Sequence, residues 1–279
     1  MEWLRRERNP WGQEIILGLS WDLIWVAVAA GVVFILAHVV LYYWRWREPE
    51  SAARSNPESI ASQLPERILR HTVVSRIFHW VMALSVITLL LTGFLPILGV
   101  KFSWVTIHWI AGVVLTASIL FHILHASLWK SLRMMWIGRA DLRDGWLTVR
   151  QVFGAKAPLA EKPGKNPLEN KIFHHAVAVA TLTAIITGLI MMAKVETPWW
   201  NRNPYLVSDA TWGWIYILHG AGSVGLITLV MAHFYFAARP EKLWITLSMF
   251  RGWISRNDYL KHYNPARWSA DAAPEKQRR

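Results

Sequence analysis

The chain contains no cysteine. That absence excludes disulfides, thiolate zinc sites and iron–sulfur clusters ligated by this polypeptide. Any metal chemistry must rest on carboxylates and on the 11 histidines. Charge is also scarce: Asp, Glu, Lys and Arg make up 17% of the 279 residues, against 54% hydrophobic residues. A soluble domain of this length does not need so much apolar sequence. Acidic residues are the scarcer kind, 18 against 30 Lys and Arg, which leaves a net charge of +12. The cations lie between apolar runs, not on a soluble face or an aromatic-studded sheet. They therefore read as topology signals and contacts for anionic lipid, with no nucleic acid as partner. Tryptophan, by contrast, is abundant at 19 residues, and it favours the boundary between membrane and water.

About 20 apolar residues suffice to cross a hydrocarbon core of roughly 30 Å. Five segments qualify, at 22–43, 77–99, 104–128, 172–194 and 213–237. The first has no small-residue cleavage site and runs into Tyr42, Tyr43, Trp44 and Trp46, so it reads as a retained, interface-anchored helix. Cations crowd the 130–171 loop (Lys130, Arg133, Arg139, Arg143, Arg150) and the tail after 238 (Arg239, Lys242, Arg251, Arg256). The 100–103 and 195–212 loops hold only Lys101 and Arg202. The positive-inside rule then expects the 130–171 loop, the 45–76 linker and the C-terminus in the cytoplasm, and the N-terminus outside. The expected organisation is an N-terminal tail and extra helix (1–44), a polar linker (45–76), a four-helix core (77–237) and a basic tail (238–279). The fold class is an all-α integral membrane bundle.

The core carries a duplication. Ile77-Phe78-His79 recurs as Ile172-Phe173-His174, and Leu91-Thr92-Gly93 recurs as Ile186-Thr187-Gly188. In both copies Gly follows His by fourteen positions (93 − 79 and 188 − 174). Ile107-His108-Trp109-Ile110-Ala111-Gly112 is echoed by Leu218-His219-Gly220-Ala221-Gly222. Two helical hairpins related by a pseudo-twofold axis are expected, with the 22–43 helix outside the repeat.

Ionisable groups inside a span are costly and point to function, although a single intramembrane His is more often a packing residue. Spacing changes that balance. His219 and His233 are fourteen apart (233 − 219) on one helix. They face within about 40° of each other and are separated by a rise of roughly 21 Å. Two imidazoles on one face at two depths suit two stacked cofactors. Topology supplies their partners: His108 starts its helix at the depth of His219, and His79 at the depth of His233. Bis-His ligation of haem leaves no open iron position, so the expected task is electron transfer. Without Cys, that haem would be of the non-covalent b type. Gly93, Gly112, Gly188, Gly220, Gly222 and Gly225 would let a flat macrocycle approach the helices, or serve plain helix packing.

The segments R-I-F-H-W (76–80), I-H-W-I-A-G (107–112), L-H-G-A-G (218–222), A-H-F-Y (232–235) and K-H-Y-N-P-A-R-W (261–268) resemble the gamma subunit of membrane-bound formate dehydrogenase, within the wider bacterial cytochrome b561-like group. The resemblance covers about 70–268. It implies the same four ligands, His79, His108, His219 and His233, and two haems b. It also implies electron flow from outside inward to a quinone pocket on the cytoplasmic side near 165–171, with Asn166 and Glu169 as candidates. Iron–sulfur or molybdenum-type catalytic subunits on the outer face are the implied partners. This segment departs from the formate dehydrogenase form, and the first helix is extra.

Several histidines are left over. His122 lies fourteen after His108 (122 − 108), and His174 is the repeat mate of His79. They would hold a third haem, or hydrogen-bond propionates, quinone or each other. Arg76, one turn before His79, would pair with a propionate or mark the membrane edge. His38 reads as a packing residue and His125 as interfacial. Alternatives within the class are the cytochrome b of a hydrogenase, thiosulfate reductase or other complex, or a standalone cytochrome b561. A different class, a His-relay transporter or channel, needs acidic partners inside the spans, which hold almost none.

Overall fold

The computed structural model describes residues 3–43, 64–129, 132–152 and 162–270. Most of the expected 45–76 linker, and the 153–161 part of the 130–171 loop, lie outside the described residues. Among the described residues, five long apolar helices are present: α1 (Asp22–Leu41), α2 (Val73–Phe94), α3 (Trp104–Trp129), α5 (Leu168–Met191) and α6 (Asp209–Ala238). α4 (Arg139–Val152) is a shorter amphipathic helix. With their short 3-10 extensions, the five long helices are long and apolar enough to cross a membrane. Large side chains such as Leu84, Ile186 and Trp214 are more than half exposed along them, as helices solvated by lipid require. α2, α5 and α6 each begin about one turn before the apolar run. Polar and charged residues such as Ser75, Arg76 and Glu169 extend a helix that hydropathy alone cuts short.

The chain forms two compact units, to each of which all five long helices contribute. The first comprises residues 1–34, 80–124 and 175–232. Its N-terminal segment, expected as a tail, is an antiparallel hairpin of β1 (Leu4–Arg8) and β2 (Glu14–Leu19), bulged between Arg5 and Arg6. β2 lies along α6 because two glycines leave room for it. A Cβ on Gly213 would come within 3.0 Å of Ile16, and one on Gly220 within 3.3 Å of Leu19. Arg5 closes the hairpin by donating from Nε to the Leu19 carbonyl (2.9 Å) and lies 3.6 Å over the Trp21 ring. α1 packs on α6 through small residues in the same way: a Cβ on Gly31 would meet Met231 at 2.9 Å, and Thr228 Oγ1 donates to the Ala27 carbonyl (2.9 Å).

The second unit comprises residues 35–79, 125–174 and 233–279. Here the expected linker and tail contain ordered elements. β3 (Arg67–Leu69) pairs antiparallel with β4 (Trp253–Ser255). α7 (Leu243–Arg251) ends on Gly252, whose φ of +89° favours glycine at a left-handed cap. α8 (Arg256–His262) is capped by Ser255, whose Oγ accepts from the Asp258 amide (3.0 Å). Ile68, Ile254, Tyr259, Tyr263 and Trp268 form a buried cluster. Ion pairs tie its outer elements: Lys171 to Asp141 (2.7 Å) and Arg267 to Asp144 (2.7 Å).

Candidate functional site: two facing imidazole pairs

Each unit holds one of the two expected histidine pairs. In the first, His108 near the start of α3 faces His219 on α6, with ring centroids 6.3 Å apart and planes at 66°. In the second, His79 on α2 faces His233 on α6, with centroids 6.2 Å apart and planes at 54°. A metal–imidazole bond of about 2.0 Å, plus roughly 1.1 Å from nitrogen to ring centroid, puts two trans imidazoles about 6.2 Å apart, centroid to centroid. Both pairs have the spacing at which one iron fits between them. Among the described residues, no group of three or more His, Asp or Glu side chains gathers as a metal site. The imidazoles come as facing pairs, an arrangement that would suit an iron whose remaining ligands come from a macrocycle.

The surroundings of the first pair are polar and specific. Thr92 Oγ1 lies 2.8 Å from His108 Nδ1 and donates to the Thr88 carbonyl (2.7 Å). Thr187 Oγ1 lies 3.0 Å from His219 Nδ1 and donates to the Thr183 carbonyl (2.6 Å). His219 Nδ1 is also 3.1 Å from the Ala184 carbonyl. Trp104 meets His108 edge-on at 6.5 Å. Beside the second pair, the Phe173 ring stacks on His233 at 5.6 Å and 17°. Thr92, Thr187 and Phe173 were not singled out as site residues in the sequence, although all three lie in the repeated I-F-H and T-G segments. The repetition itself was the signal.

The six glycines divide by role. Gly93 and Gly188 abut the imidazoles: a Cβ would stand 3.7 Å from His108 Cε1 and 3.3 Å from His219 Cε1. Gly220 serves the hairpin, and Gly222 brings α6 within contact of Ala180 and Ala184 on α5. A Cβ on Gly112 would touch only Leu89, and one on Gly225 would meet nothing within 4 Å.

The other candidate residues are placed as follows. Arg76 donates from Nη1 to the Phe250 carbonyl, and its buried Nε has no hydrogen-bond partner among the described residues. Asn166 donates to Met135 Sδ (3.3 Å), and Glu169 is exposed in the first turn of α5. His122 is half-buried on α3 and His174 is exposed on α5, and they belong to different units. His38 is a hydrogen-bonded packing residue: its Nδ1 is 3.0 Å from Tyr235 Oη, and its ring meets Phe236 edge-on at 4.9 Å. A cavity of about 500 Å3 in the second unit is lined by His38, Tyr42, Arg239, Glu241, Trp244 and His262, among others. Asn166 and Glu169 are not among its lining residues.

A multi-pass helical membrane protein carrying such pairs is a membrane cytochrome b, a protein of electron transfer. The family model for prokaryotic cytochrome b561 matches residues 70–252, and the chain belongs to that family, which binds b-type haem. No curated protein matches the chain.

Proposed function

We propose that the chain is the membrane electron-transfer subunit of a respiratory oxidoreductase complex in the bacterial inner membrane. It joins a redox partner on the outer face to membrane quinone on the cytoplasmic side, as the formate dehydrogenase gamma subunit does. His108 and His219 hold one haem b, and His79 and His233 a second. The observation that carries this reading is the centroid separation of 6.3 and 6.2 Å within the two pairs. When bound, haem supplies one-electron chemistry through its ferric and ferrous iron. With two imidazoles holding each haem, no position would be left for oxygen or an organic substrate, so the chemistry these residues permit would be electron transfer. The buried, unpartnered Nε of Arg76, one turn from His79, supports a propionate contact.

The cation-rich 130–171 loop and C-terminal segment support a cytoplasmic location for those segments, and iron–sulfur or molybdenum-type subunits are the partners on the outer face. Quinone reacts on the cytoplasmic side, with Asn166 and Glu169 as its candidate contacts. The test is a reduced-minus-oxidised spectrum, a pyridine haemochrome count and reduction by a soluble quinol analogue, all on the purified full chain. A b-type band, two haems per chain and reduction by quinol are expected. A colourless protein ends the reading, and two haems per chain would leave no third haem for His122 and His174.

A further inference from the structure

We infer that Thr92 and Thr187 are positioning residues that fix the tautomer of His108 and His219 and lower the reduction potential of the iron held between them. The inference rests on the haem reading above and goes beyond it. It begins with hydrogen counting. A threonine hydroxyl has one proton to donate and lone pairs to accept with. Thr92 lies 2.7 Å from the Thr88 carbonyl and Thr187 lies 2.6 Å from the Thr183 carbonyl. A carbonyl only accepts, so each hydroxyl proton is committed to its own helix, four residues back. The same oxygen, 2.8 Å from His108 Nδ1 and 3.0 Å from His219 Nδ1, must then accept. Both Nδ1 atoms therefore carry the ring proton. The Ala184 carbonyl, 3.1 Å from His219 Nδ1, is also an acceptor and requires the same tautomer. In each neutral ring, Nε2 is left as a bare lone pair, the form that ligates a metal.

The adjacent glycine completes the device. A Cβ on Gly188 would come within 3.3 Å of His219 Cε1, and one on Gly93 within 3.7 Å of His108 Cε1. Threonine supplies the acceptor and glycine the clearance, so the Thr-Gly doublet holds an imidazole of the next helix edge-on against its own. The doublet occurs in both halves of the repeat, thirteen residues after His79 and after His174 (92 − 79 and 187 − 174). It therefore braces both faces of one site.

An imidazole that donates from Nδ1 is a stronger base at Nε2. Stronger donation favours ferric over ferrous iron, so the hydroxyls lower the potential. The carbonyl of Ala184 shares the work at His219, which makes Thr92 the larger lever.

The experiment is a spectroelectrochemical titration of the purified full chain carrying Thr92→Val, Thr187→Val, Thr92→Ser or Thr187→Ser. Valine keeps the shape and removes the acceptor; serine restores it. In Thr92→Val one of the two b-type components should rise by about 59 mV, a tenfold change in ferric-to-ferrous preference for a one-electron couple. The other component should stay in place, Thr187→Val should shift the same component by less, and the serine variants should return it. Loss of that component in a valine variant but not in its serine counterpart also supports the role. Unchanged potentials at full haem content, or equal effects of Val and Ser, overturn it. A wild-type chain with no b-type band would instead sink the haem reading itself.

Discussion

In the first unit each imidazole leans on a threonine hydroxyl and a glycine of a neighbouring helix. In the second unit an aromatic ring, Phe173, stacks on His233. The ring separations are nearly the same, 6.3 and 6.2 Å, although the neighbours of the two pairs differ in kind. A hydrogen bond fixes which nitrogen carries the proton and changes ligand basicity. A stacked ring restricts orientation and screens solvent. The scaffolds differ in parallel. The first unit is held largely by small-residue packing at Gly31, Gly213, Gly220 and Gly222. The second adds partly buried ion pairs and a buried aromatic cluster, where the ion pair of the first, Arg6 with Glu14, is exposed.

The largest effect should come from removing a ligand. His219→Ala should lower the haem content from two to one per chain and leave the component of the second pair in place, while His233→Ala should do the converse. Haemochrome counts combined with redox titration check this. Loss of both components from either substitution would break the comparison, because it would make the pairs one cooperative site.

Next comes acid. Burial opposes ionisation of Asp141, but hydrogen bonds from Lys171 and the Gly138 amide outweigh it and hold the carboxyl below its ordinary value. With the folded value depressed, the stabilisation is full above the unfolded value of about 3.9 and is lost as pH falls through the lower folded one. Asp141→Asn should therefore cost up to about 1 kcal/mol near neutral pH, since solvent screens the pair, and little at strongly acidic pH. Thermal unfolding followed at both pH values measures it. An equal cost at both would show that the ion pair is not the source.

A smaller effect separates the glycines. Gly188→Ala, whose Cβ would press on His219 at 3.3 Å, should disturb the first component more than Gly93→Ala, whose Cβ would make an ordinary 3.7 Å contact. Low-spin ferric resonances read this difference, and equal effects would argue against edge-on bracing. Smallest is Phe173→Leu. An aromatic pair contributes about 1 kcal/mol beyond its buried area, so haem retention at the second pair should fall by up to about fivefold and the first pair should be unaffected. A titration against a haem-capturing apoprotein would show it.

Much of this was legible in the sequence because lipid imposes simple rules. Five apolar runs had to be helices, since no other open backbone satisfies its hydrogen bonds in hydrocarbon. Histidines fourteen apart had to share a helix face. The pairing of His108 with His219 and of His79 with His233 followed from alternating helix direction, and the structure brings both pairs together. The aqueous segments were less legible. The hairpin at 4–19 and the β3–β4 pair hold together through contacts between residues far apart in the chain, such as Ile16 with Gly213 and Ile68 with Ile254, and no local periodicity reveals such partners. The glycines were found, but not their division into imidazole neighbours and packing gaps.

The sequence by itself determined the class of protein, the five crossing helices and the identity of the paired histidines, because helical period and apolar length are local properties of the chain. Only the tertiary structure decided what stands behind each imidazole. A Thr-Gly doublet looks like ordinary helix sequence until another helix presents a ring nitrogen 2.8 or 3.0 Å from its hydroxyl. The direction of that hydrogen bond is set by a third group, the carbonyl four residues back.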